Sequence, residues 1–215
     1  MLVTEFQLPA FFDLGATFAF ALTGALAAIK RGYDFVGAFF LALACGIGGG
    51  LIRDGVFVQG TGPTPLLADP RYILVVAAAT GFGVFFGNRV HHFQRVIAVI
   101  EALGLGAYAA FGTQKALVAG MAAPAAVLVG VINAVGGGLL RDIFTQVEPL
   151  VFKPGQFYVL TALGGSITFV FLVSYQEMPA TPAAAAAVAV TFLLRVLTIA
   201  FNWRTNPLHP PVERG

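Results

Sequence analysis

The segment Gly48-Gly49-Gly50-Leu51-Ile52-Arg53-Asp54 returns 88 positions later as Gly136-Gly137-Gly138-Leu139-Leu140-Arg141-Asp142. Each copy follows an apolar run, Phe35 to Cys45 in the first and Ala125 to Val135 in the second, and apolar residues resume after the charges. Glycine is an expensive choice in such a place, since each one gives up roughly 1 kcal/mol relative to alanine in a helix interior. Two physical reasons can justify a triplet. It can interrupt a membrane helix, freeing carbonyls that are tolerated only where protein or a water-filled cavity receives them, which marks a solute pathway. Alternatively, it can admit the backbone of a neighbouring helix. The recurrence of Arg-Asp behind both triplets speaks for the pathway.

The surroundings of the triplets are those of a membrane. Of 215 residues, 58% are hydrophobic and 10% charged, the mean hydropathy is +0.87, and the charges lie between long apolar runs instead of alternating with them. This is the pattern of a polytopic, all-α integral membrane protein. A net charge of +2 gives no reason to expect a nucleic-acid partner. The single Cys45 excludes a disulfide framework within one chain. Only two serines occur, Ser166 and Ser174, and neither a Gly-x-Ser-x-Gly nor a His-Glu-x-x-His pattern is present, so no enzyme is expected and no cofactor. Met1 to Ala10 holds Glu5 and no basic residue, unlike the start of a cleaved signal peptide, so the first apolar segment is expected to stay.

A spanning helix takes about 20 mostly apolar residues. Seven segments qualify, at 11–29, 35–58, 72–87, 96–116, 121–146, 156–175 and 183–201, with 202–215 as a cytoplasmic tail. At the offset of 88, Asp13 falls on Glu101 and Gly24 on Gly112; after the Arg-Asp pairs an offset of 84 matches Pro65-Leu66 with Pro149-Leu150 and Gly81 with Gly165. Residues 1–201 therefore read as one transmembrane domain: a repeat over 11–87, a second over 96–175, and a seventh helix outside both. Three spans per unit force the second copy into the membrane upside down, as inverted repeats about a two-fold axis in the membrane plane. That axis brings the two triplets, in kinked helices 2 and 5, to similar depth at a common site. Omitting Arg53 and Arg141, loop Lys and Arg number two on the N-terminal side and seven on the other, which predicts an N-terminus outside and a C-terminus in the cytoplasm.

The candidate pathway residues are Gly48, Gly49, Gly50, Gly136, Gly137, Gly138, Arg53, Asp54, Arg141, Asp142, Asp13 and Glu101. Ionisable groups at membrane depth are functional candidates by default. Arg53, Asp54, Arg141 and Asp142 either cap helices at the headgroups or, if the helices continue, project about 100° apart and pair with other segments, Asp13 and Glu101 first among them. Asp13 and Glu101 can equally serve as first-turn acids at helix N-termini. Lys115 either snorkels to the interface or takes part in gating, and Arg195 either snorkels or finds a buried or subunit partner. His91 and His92, beside Arg89 and Arg95, form either a metal pair or a solvated basic loop near anionic headgroups, and a metal site is not expected. Small residues such as Gly15, Ala19, Thr23, Ala27 and Ala183 to Ala187 predict tight helix contacts.

With Asp13-Leu14-Gly15, Glu101-Ala102-Leu103-Gly104, Gly112-Thr113-Gln114-Lys115, Lys153-Pro154 and the duplicated Gly-Gly-Gly-x-x-Arg-Asp, the chain resembles a prokaryotic member of the trimeric intracellular cation (TRIC) channel family over about residues 11–201. The resemblance implies seven helices, a homotrimer among membrane lipids, and one potassium-permeable pore per subunit lined by kinked helices 2 and 5. K⁺ is then the permeant ion, in the cell membrane of a prokaryote. The Lys-Glu-Val motif of animal relatives is missing. Some bacterial relatives are described as glycine transporters, so a carrier for glycine or another small amino acid is the rival. A channel needs the arginines paired or turned away; a carrier needs a free Arg53 or Arg141 to meet a substrate carboxylate.

Overall fold

The computed structural model describes residues 8–59, 64–87, 94–153 and 157–203. Arg89, His91, His92, Pro154 and the tail from Arg204 onward lie outside them. The regular elements among the described residues are all helices, with no strand: α1 (Ala10–Lys30), α2 (Phe35–Ile52), a π-helical segment (Arg53–Val58), the short α3 (Pro65–Ala68), α4 (Pro70–Phe86), α5 (Gln94–Val118), α6 (Ala123–Phe144), α7 (Tyr158–Ser174) and α8 (Ala180–Ala200). Setting α3 aside, these seven long helices coincide to within a few residues with the seven apolar segments. Five spans are long and apolar enough to cross a membrane unaided, α2 counting together with the π segment. The other two, α4 and α7, have 17 residues each, or about 26 Å at 1.5 Å per residue, slightly less than a hydrocarbon core. Both are third in their three-helix unit.

Local chemistry sets the helix ends where the sequence offers it. Asp34 caps α2 by accepting from Gly37 N–H at 2.8 Å, and Asp69 caps α4 through Arg71 N–H at 2.9 Å, just ahead of Pro70 in the first turn. The Arg71 side chain also hydrogen-bonds Asp69 and holds that carboxyl below the usual carboxylate range.

The repeat survives in three dimensions. After the two Arg-Asp pairs, Gln59 N–H donates to Asp54 C=O and Val147 N–H to Asp142 C=O, both at 2.9 Å and both 88 residues apart. In the third helices the register differs from the expected 84. Buried Tyr72 of α4 corresponds to buried Tyr158 of α7, an offset of 86, and burial along the two helices follows that register. The physical reason is that core packing, unlike loop prolines, decides which helix face turns inward. Helix α8 packs chiefly on the second unit, against α5 and α7. Its Ala183, Ala184 and Ala187 are buried, and α5 and α7 meet it through Gly106 and Gly164, where an added Cβ would stand 2.8 Å from Val188 Cα and from Leu194 Cδ1. Gly15, expected in a tight contact, instead faces open space.

Candidate functional site

All six glycines of the triplets are buried, and the α-helix runs through both of them. They do not interrupt the helices; Gly49, Gly136 and Gly137 let α2 and α6 touch backbone to backbone. A Cβ on Gly136 would stand 2.7 Å from Gly49 Cα, one on Gly49 would collide with the Asn133 carbonyl oxygen, and one on Gly137 with the Cys45 carbonyl oxygen. Cys45 and Asn133 are themselves 88 apart, so the collisions are reciprocal. The helix departs from α geometry only beyond the first triplet, in the π segment that begins at Arg53.

The charged candidates gather in two clusters, one at each end of α5. Lys115 belongs to the first and Glu101 to the second, 14 residues or about 21 Å apart along that helix. The common site expected at the triplets is thus a neutral backbone crossing with an ion cluster above and below it.

In the first cluster Arg53 is 1% exposed. Its Nε and Nη2 donate to Asp54 Oδ1 and Oδ2 at 2.7 and 2.9 Å, a bidentate pairing, while Nη1 reaches Asn133 Oδ1 at 3.3 Å and the guanidinium stacks 5.3 Å over the Phe111 ring. Lys115 Nζ lies 2.9 and 2.8 Å from the same two Asp54 oxygens. The ammonium is therefore turned inward to the carboxylate, not out to the headgroups. Asp13 does not pair with Arg53: its Oδ2 accepts from the Tyr72 hydroxyl. Tyr108, stacked on Phe20, hydrogen-bonds Thr17 and the Gly46 carbonyl, and its own carbonyl accepts from Asn133 Nδ2 at 2.8 Å.

In the second cluster Arg141 donates from Nε to Asp142 Oδ1 at 3.0 Å and from Nη1 to Glu101 Oε1 at 3.1 Å, and Asp142 Oδ2 accepts from Leu150 N–H at 3.1 Å. Arg195 of α8, 8% exposed, lies 5.1 Å over the Tyr158 ring. It has found a buried partner, an aromatic face.

Neighbouring Arg and Asp do pair with each other, against the expectation from their helical separation, because the long arginine side chain folds back over one residue. Bonds to other segments then add to that pair. Of the two candidate acids, Glu101 meets Arg141, whereas Asp13 hydrogen-bonds neither arginine. Every residue of Gly112-Thr113-Gln114-Lys115 has a task here. Gly112 seats Asn133, whose Cβ would be 2.7 Å from an added Cβ, Thr113 hydrogen-bonds Ala109 C=O, Gln114 Oε1 accepts from Leu8 N–H, and Lys115 holds Asp54. Sequence reasoning missed Asn133, Tyr72, Tyr108 and Tyr158. Asn133 carried a signal, an amide inside an apolar run at the repeat position of Cys45.

Among the described residues no group of three or more His, Cys, Asp or Glu could hold a metal ion. Two apolar grooves lie on the outside of the bundle. One, of about 480 Å³, runs along α2 from Tyr33 to Leu51; the other, of about 400 Å³, lies between α1, α5 and Val188 of α8.

The comparisons agree with this architecture. A family model described as Glycine transporter matches residues 10–88 and 98–174, one block on each repeat. A UPF0126 membrane protein of Deinococcus radiodurans is 30% identical over 184 residues, covering 84% of this chain and 83% of the relative. The UPF0126 inner membrane protein YadS of Escherichia coli K12 is 27% identical over 191 residues, 88% and 91% of the two chains. Among solved structures, the TRIC trimeric intracellular cation channel orthologue from Rhodobacter sphaeroides superposes with a TM-score of 0.82 at 30% identity, over 90% of this chain and 97% of that one. A chain solved for the structural basis of conductance through TRIC cation channels gives 0.84 at 30% identity, over 97% and 100%. With a family match over both repeats and full-length likeness to solved channels, this multi-pass membrane protein belongs to the Glycine transporter family and, by sequence and fold, to the TRIC channel family.

Proposed function

We propose that the protein is a potassium-permeable monovalent cation channel, assembled as a homotrimer with one pathway in each subunit. The observation that carries the reading is the state of the two central arginines. Arg53 is committed to Asp54 and Asn133, and Arg141 to Asp142 and Glu101. Neither presents a free guanidinium to a substrate carboxylate, which the carrier requires. Likeness to cation channels at 30% identity supports the same side. The trimer follows the Rhodobacter sphaeroides channel, itself described as trimeric.

The repeats are inverted about an axis through the α2–α6 crossing, and the reciprocal approach of Gly49 and Gly137 supports this. The N-terminus then lies outside and the C-terminus in the cytoplasm, with the Lys115 cluster near the outer side and the Glu101 cluster near the inner. The glycine crossing closes the centre in this conformation. Conduction requires α2 and α6 to bend apart at the triplets, which exposes carbonyls to a passing ion. Lys115 is the gating latch, because its bond to Asp54 ties α5 to the π segment and places a second cation on a carboxylate that Arg53 already pairs, reversing the sign of the local potential that a permeating cation meets.

The test is reconstitution of the purified protein in liposomes, with potassium flux and glycine uptake measured side by side. Dissipative potassium flux without glycine uptake is expected. Saturable glycine uptake with exchange of labelled substrate and no potassium flux overturns the reading in favour of the carrier.

A further inference from the structure

The two acids related by the repeat are held differently. Glu101 is the longer by one methylene, hydrogen-bonds Arg141, and keeps 16% of its side chain exposed. Asp13 is 2% exposed; Oδ2 accepts from Tyr72, and Oδ1 is buried without any hydrogen-bond partner.

The neighbouring side-chain donors bond to other partners than Oδ1. From the π segment, Arg53 spends Nε and Nη2 on Asp54 and Nη1 on Asn133. From α5, Lys115 rests on both Asp54 oxygens, and the Tyr108 hydroxyl is shared between Gly46 C=O and Thr17. Asp54 adds a like charge within electrostatic reach. The first turn of α1 and the fields of Arg53 and Lys115 favour an anion. Together these cations exceed the one carboxylate they touch by a single positive charge, but neither hydrogen-bonds Asp13, and a bare carboxylate oxygen in an apolar interior costs more than a helix terminus and unbonded charges return.

We propose that Asp13 is a proton-binding site: in this arrangement Oδ1 carries the hydrogen while Oδ2 accepts from Tyr72. On release the O–H bond breaks, the electron pair stays on Oδ1 and the proton passes to water. The carboxylate left behind competes with Asp54 for Arg53, so proton release loosens the cluster that Lys115 latches. Glu101 is already paired with Arg141, so the unpaired buried carboxyl oxygen of Asp13 has no counterpart at the repeat position. This consequence for gating rests on the channel reading; the proton site does not.

The experiment is infrared difference spectroscopy of the purified protein in lipid at about pH 7 and at higher pH, on the wild type, D13N, Y72F and E101Q. The expected result is a carboxylic-acid C=O band at about pH 7 that disappears in D13N, shifts in Y72F, stays in E101Q, and is lost as the pH rises. A wild-type spectrum at about pH 7 without a band that D13N removes overturns the proposal. So does a band removed by E101Q instead. Should D13N fail to assemble, Y72F decides: a band it leaves unshifted does not belong to Asp13, and the proposal fails. Potassium flux on the same samples separates the two readings, since a band with the expected behaviour in a protein that passes no potassium refutes the channel and leaves the proton site standing.

Discussion

Alanine in place of the middle glycines, Gly49 and Gly137, tests whether the triplets exist for a backbone crossing. In an open helix the change gains about 1 kcal/mol of propensity. At the crossing the new methyl meets carbonyl oxygens of the opposite helix, Asn133 for Gly49 and Cys45 for Gly137. No rotamer change relieves a clash with backbone, so the cost falls at the upper end of the overpacking range, about 3 kcal/mol. The net loss is about 2 kcal/mol for each site. A chain of this size shifts its melting temperature by about 2–4 °C per kcal/mol, so G49A and G137A each melt about 4–8 °C lower. The internal reference is Gly81, within α4, where an added Cβ meets nothing within 4 Å. G81A keeps the propensity gain and melts up to about 2–4 °C higher. Thermal unfolding in detergent, followed by helical circular dichroism, reads all three. If G49A and G137A melt with or above G81A, close crossing is not what the glycines provide. With all three glycines of either triplet replaced, we expect potassium flux to fall sharply while assembly survives, because the helices can no longer bend; wild-type flux makes the triplets packing devices alone.

Three further outcomes follow from the ion clusters and the repeat. Breaking the Arg141–Glu101 pair with R141Q destabilises by about 3 kcal/mol, the low end for a buried pair, since each partner keeps some exposure; in a thermal-stability cycle the R141Q/E101Q double variant loses less than the sum, with a coupling of at least about 1 kcal/mol. K115Q removes one of the two cations on Asp54 and raises potassium flux in liposomes, whereas D54N removes the negative charge and lowers it; equal flux from both contradicts the latch. In a C45A background, a cysteine at Thr64 should react with an impermeant thiol reagent from outside and one at Lys30 from inside; the reverse pattern overturns the orientation, and both positions reacting from the same side removes the basis for inverted repeats.

The seven spans were legible because an apolar run of bilayer length has few alternatives. The 35–58 segment reappears as α2 plus the π segment, Phe35–Val58. The repeat was legible in its glycines and charges, and it set Glu101 beside Asp13 as an acid that could meet one of the arginines or serve a helix N-terminus. What lay beyond the sequence was set by three-dimensional approach. Periodicity puts Arg53 and Asp54 on different faces, but it does not show that a long side chain folds back, that Asn133 waits across the crossing, or that Lys115 turns inward. The tyrosines escaped notice because aromatic residues in apolar runs look like core, and their hydroxyls matter only once Asp13 and Gly46 stand beside them. The register of α4 against α7 was misjudged for a similar reason: loop prolines align the connections, while the buried faces align two residues further on.

The central claim, a pore for potassium, is tested most directly by recording from the purified protein in a planar bilayer under a gradient of potassium chloride. A channel gives discrete unitary currents that reverse close to the potassium equilibrium potential, since weak multi-site binding lets ions leave as readily as they enter. Silence in that bilayer, from protein that takes up and exchanges glycine in liposomes, contradicts the account.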